Sequence, residues 1–229
     1  MGEKKRKEAT VKTWYKVLAV LACVFVAGLM IVSSLGSSWI TSLRVIQPGD
    51  PATVQVTIND VSGDPIVTSN GELYEQRIAA GKGIFYAKDM VITANQSSQS
   101  SLITLPVYST TNGWSDTFAL FSTEHDAISQ ALVGMKTNEQ KVITIPDADM
   151  MTETWSAAQL TSQGINMTDI HVGDQLSIAV SNTATLEKNA TAAPYSVRVG
   201  EVTAKSSDGI TINLGYPTIS IKVLKIATS

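Results

Sequence analysis

Apolar residues recur at every second position in three separate stretches: Val54, Val56 and Ile58; Leu176, Ile178 and Val180; Ile219, Ile221 and Val223. Successive side chains of an extended chain point to opposite faces, so this period lines one face of a strand with apolar groups. Such faces must be buried against a partner, and a β-sheet is therefore the first constraint on the fold. Further strands are expected in GIFYA, SLITLPVYS, DTFALFS and residues 141–145, where Pro146 forbids continuation as a central strand. Residues 60–65, DVSGDP, form a turn cluster, and Asp208-Gly209 marks a hairpin between strands expected at 195–204 and 210–214. Helical signals are short. Ser69 to Glu72 reads as a capping box opening GELYEQRIAA, which Gly81 and Gly83 stop. Residues 126–135 place Ile128, Ala131 and Leu132 on one face, with Gly134 ending the helix, and 157–164 form a third short helix. The fold class is α+β, mostly antiparallel β.

The N-terminus follows a different rule. Residues 17–35 run for 19 positions without a charge. As a helix they rise about 28 Å, close to the thickness of bilayer hydrocarbon. Six basic residues precede the run, and Trp14, Tyr15 and Trp39 flank it. The expectation is a cytoplasmic stub at 1–16, a transmembrane helix at 17–35 and an extracytoplasmic body, which makes a single-pass protein of the cell membrane. A cleaved signal peptide ending near Ser34-Leu35-Gly36 stays open as the alternative. Asn95, Asn166 and Asn189 stand in glycosylation sequons, consistent with export. The lone Cys23 falls in the apolar run, so the body has no disulfide.

Composition narrows the function classes. The chain is 16% charged with a net charge of −3, and six of its 17 basic residues fall within the first 16 positions, so the body is acidic and no nucleic-acid partner is expected. No phosphate loop, G-x-S-x-G elbow or metal-ligand spacing occurs. His125 and His171 stand far apart, and neither a metal nor a cofactor is expected.

Three blocks occur in a telling order: QPGDPATVQVTINDVSGDPIVTS at 47–69, HDAISQALVGMKTNEQKVITIPDADM at 125–150, and YSVRVGEVTAKSSDGITINLGYPTISIKVLKI at 195–226. Together they resemble the FKBP-type peptidyl-prolyl cis-trans isomerases. VGDQLSIAV and VGEVTAKSSDGITINL resemble the SlyD-like branch, in which a small β domain is inserted as a flap. The resemblance implies a curved sheet around a short helix at 44–154 and 215–229, with Ala131, Leu132 and Met135 packed against it. It also implies a flap domain at 155–214 and an extra insertion at about 70–122. It places the groove-binding positions at Ile58, Val67, Ile128, Met151 and Ile219. The family's groove is aromatic, and none of these five residues is, so the resemblance implies a folding helper whose isomerase catalysis is weak or lost. Its expected partners are unfolded or proline-containing polypeptide segments, with membrane attachment through the N-terminal helix. The alternative is a non-catalytic subunit that binds one envelope protein.

Overall fold

A computed structural model describes residues 2–34, 44–109, 113–181 and 195–227. The chain divides into two compact units, Met1–Arg44 and Val45–Ser229.

The first unit holds helix α1, Gly2–Ser34. Its large apolar side chains from Val17 to Ile31 are mostly exposed. Among the described residues, no helix is long and apolar enough to cross a membrane. This corrects the expectation of a transmembrane helix, and with it the membrane attachment, the cell-membrane location and the extracytoplasmic body. Residue 35, the signal-cleavage alternative that uses it, and Trp39 lie outside the described residues.

The second unit is α+β. Its strands are β1 Pro51–Asn59, β2 Pro65–Thr68, β3 Phe85–Ala87, β4 Met90–Thr93, β5 Leu102–Ser109, β6 Gly113–Phe121, β7 Gln140–Thr144, β8 Thr152–Ser156, β9 Gln175–Val180, β10 Ser196–Lys205, β11 Gly209–Asn213 and β12 Thr218–Ile226. Helix α2 is Gly71–Ala79, α3 is Ser122–Leu132 and α4 is Ala157–Ser162. The strands form one curved, open sheet ordered β7-β12-β1-β2-β3-β5-β6-β10-β11-β8, with β4 on β1 and β9 on β10. The antiparallel default holds for most pairs, but β2–β3 and β6–β10 are parallel, so the sheet is mixed.

Local chemistry explains the registers. The alternation of β1 buries Ala52, Val54, Val56 and Ile58 completely. Ser69 pins β1 to β2, since its backbone N donates to Val56 O at 2.8 Å and its Oγ accepts from Val56 N at 2.9 Å. That use of Ser69 moves the helix cap one residue on. Asn70 Oδ1 accepts from Glu72 N and Leu73 N and opens α2. Helix α3 starts four residues before the expected 126, because Glu124 Oε2 accepts from Phe121 N at 2.9 Å. Gly134, at φ +88°, lets the chain leave α3 in a left-handed turn.

Two hydrophobic cores result. The large one gathers β1, β2, β12 and α3 residues with Leu105, Val107, Phe118 and Leu120. The small one consists of Leu160, Ile170, Ile178, Val202, Ile210 and Ile212, with Trp155, Leu176, Val180 and Leu214 packed on it. Strand β10 joins them, contributing Val199 to the first and Val202 to the second.

Candidate functional site

Four of the five positions that the resemblance assigns to a groove come together but are sealed. Ile58 on β1 pairs with Val67 on β2 and with Ile219 on β12, and Ile219 pairs in turn with Ile143 on β7. Directly paired residues share a sheet face, so Val67, Ile58, Ile219 and Ile143 form one aliphatic row. Ile128 of α3 belongs to the same cluster. Ile58, Val67, Ile128 and Ile219 are each 0% exposed, which leaves no surface at these residues for a ligand. Met151 stands apart, half-buried, its carbonyl accepting from Leu214 N at 2.7 Å. Asn95 and Asn166 are exposed, the first in a left-handed turn at φ +57° and the second capping a 3-10 turn; Asn189 lies outside the described residues.

An open space lies elsewhere. A cleft of ≈ 330 Å³ lies between the α2–β3 segment and strand β9, at the edge of the large core. Ile66, Ile78, Ile84 and Phe85 line one side, and Gln175, Ser177 and Val199 the other. The β1–β2 register slips between Val67 and Pro65, and Ile66, at that irregularity, reaches the cleft edge while remaining buried. On β9, Leu176, Ile178 and Val180 pack on the small core, which turns Gln175 and Ser177 outward. Among the described residues, those lining the cleft carry no charge. It is suited to an uncharged segment with apolar side chains and a few hydrogen-bonding groups.

A five-residue turn, 60–64, bonds to residues at or beside both cleft walls. Asp60 is 4% exposed and accepts from Asp64 N at 2.8 Å and from Gln175 Nε2 at 2.7 Å. Ser62 donates from its N and Oγ to Glu201 at 3.2 and 2.6 Å. Asp64 pairs with Arg77 at 3.0 Å, and the hydrogen bond from that guanidinium holds the Asp64 carboxyl below the usual carboxylate range.

Near the junction of the cores lies a buried ion pair that sequence reasoning missed. Arg198 of β10 and Glu124 of α3 are both 0% exposed and doubly hydrogen-bonded, one bond being Nη1 to Oε2 at 3.1 Å. The guanidinium also donates to Ala119 O and Leu214 O. It lies 3.9 Å from the Phe121 ring centre and 4.0 Å from that of Tyr216. The Tyr216 hydroxyl donates to Val199 O and accepts from Val199 N, and burial pushes its phenol pKa far above the ordinary value. The network binds helix to strand and has no path to solvent for chemistry. A Glu at the third helical position was its only sequence signal.

No protein-family model matches the chain, and no curated protein matches it. The curved, open mixed sheet with associated helices is consistent with an FKBP-like fold and no more specific assignment.

Proposed function

We propose that residues 45–229 are an FKBP-like, SlyD-like folding helper. It holds an extended, uncharged polypeptide segment in the cleft between α2–β3 and β9 and does not catalyse prolyl isomerisation. One observation carries the reading: four of the five aligned groove positions are sealed, while the cleft between α2–β3 and β9 is open. Isomerisation of an X-Pro bond needs a pocket that receives the prolyl ring and favours a twisted amide over a planar one. Ile58, Val67, Ile128 and Ile219 fill that place with their own side chains. The division into a body and an inserted domain at 155–214 is supported by the small core, whose residues all fall within that range. The extra segment at 70–122 supplies the Ile78–Phe85 wall of the cleft.

The test is exchange NMR on a short Ala-Leu-Pro-Phe peptide with the full chain. The expected outcome is peptide broadening without faster cis-trans exchange, with amide shifts at Ile84, Ser177 and Val199. Faster exchange, abolished by Ile128→Asp in a folded variant, overturns the reading.

A further inference from the structure

The turn 60–64 touches both walls of the cleft, and each contact falls beside a lining residue. Toward the α2 wall, Asp64 accepts from Arg77 at 3.0 Å and lies 3.6 Å from Lys82. Ile78 and Gly83, the next residues along, line the cleft. Arg77 Nε is buried without a hydrogen-bond partner, so this guanidinium is poorly compensated if Asp64 is lost. Toward the β9 wall, Asp60 holds Gln175, which itself lines the cleft. Ser62 holds Glu201, the register partner of Gln175 on β10. The Asp64 N to Asp60 Oδ1 bond ties the two sets of contacts together inside the turn.

These groups are not a ligand site, because every carboxylate oxygen described here faces a donor of the protein itself. Their arrangement is mechanical. Two long side chains on one wall and a strand pair on the other are fastened to the same five residues. Elsewhere the walls are joined through the sheet path β3-β5-β6-β10-β9, whose β6–β10 step is a single parallel pair, Val197 with Phe118, and so resists a change of wall separation less than a long ladder does.

We infer that the turn 60–64 is a clasp that fixes the separation of the cleft walls, with Asp60, Ser62 and Asp64 as positioning residues for the polypeptide. The inference rests on the cleft being the binding site. A clasp of this kind preorganises the empty cleft, and opening it lowers the fraction of molecules with the binding-competent width.

The experiment uses the full chain with Cys23→Ser and spin labels on Gln76→Cys of α2 and Ala179→Cys of β9, both exposed positions. Pulsed electron-electron resonance reads the distance distribution across the cleft, and fluorescence anisotropy reads the affinity for a labelled Ala-Leu-Pro-Phe peptide. In Asp60→Asn and Asp64→Asn the distribution is expected to broaden toward longer distances, and the peptide affinity to fall about threefold to tenfold. Ser62→Ala is the milder variant. It removes one hydroxyl at an exposed position, retains the fold, and is expected to broaden the distribution less. Distributions unchanged in Ser62→Ala and in folded aspartate variants overturn the clasp, whatever the peptide does. A widened distribution with no peptide bound even by the unmutated protein overturns the positioning role by removing the proposed function, while the effect on wall separation stands.

Discussion

The large core and the small core are built from the same kind of β-strand, yet they are held closed in different ways. The large core has long pairings on both sides of β1, a helix laid over it, and the Arg198–Glu124 pair clamped between two aromatic rings. The small core has six buried aliphatic residues, a six-residue helix, and a Lys205 Nζ bond to Ile170 O at 2.6 Å. One is a sealed block, and the other is a lighter piece joined to it through β10. The difference explains why an open cleft lies beside the junction while the row through Ile58 is closed.

The largest expected effect comes from the clamp. Glu124→Gln leaves the Arg198 charge buried without its partner, and unfolding in urea is expected to show a loss of about 3–5 kcal/mol. Replacing both partners with Leu and Met recovers most of that loss, because the desolvation cost disappears with the charges. Cavity formation ranks next. Ile58→Ala is expected to cost about 3–4 kcal/mol in the cooperative transition. Leu160→Ala is expected to cost about 2–3 kcal/mol, and hydrogen exchange should show it opening the small core locally before global unfolding. Equal protection loss in both cores would erase the distinction between them.

What was legible in the chain follows the same division. The period-two stretches become β1, β9 and β12, and the Asp-Gly signal becomes the β10–β11 hairpin. Strands β4 and β8 were missed for physical reasons. MVIT is a four-residue strand that follows a charged Lys88-Asp89 step. TETWS is largely exposed, and among the described residues its pairing partner is β11 alone. Neither carries enough apolar alternation to announce itself. The buried ion pair spans 74 positions, and the cleft collects residues from 66 to 199, so no local pattern encodes either. The five groove positions came from a resemblance; the adjacency of Ile58, Val67 and Ile219 is a matter of sheet register, Ile128 reaches them from α3, and Met151 stands apart. The apolar N-terminal run suggested a membrane helix, and that expectation is corrected by the described structure.

Smaller effects sharpen the comparison at the junction. Tyr216→Phe removes the two hydrogen bonds to Val199 and is expected to cost about 1–2 kcal/mol. Because burial raises the Tyr216 pKa, the folded state keeps the proton longer than the unfolded chain does. Stability is fully present below pH 10.0, the ordinary phenol value, and falls as pH rises above it; Tyr216→Phe should flatten that fall. The smallest effect belongs to Asp64. Its pKa is lowered by Arg77, so its contribution is present above 3.8 and lost as pH falls through the folded value. With 44% of the side chain exposed, solvent screening keeps that contribution small. Acid titration of Asp64→Asn against the unmutated protein measures it.

The central claim is that the sealed row is packing and the open cleft is the site. It is tested most directly by intermolecular nuclear Overhauser contacts between an unlabelled Ala-Leu-Pro-Phe peptide and the full chain carrying isoleucine methyl labels. Contacts are expected to Ile78 and Ile84, which are accessible, and none to Ile58, Ile128 or Ile219. Contacts to Ile58, Ile128 and Ile219 would contradict it, because they require the row to open and receive the peptide as a groove.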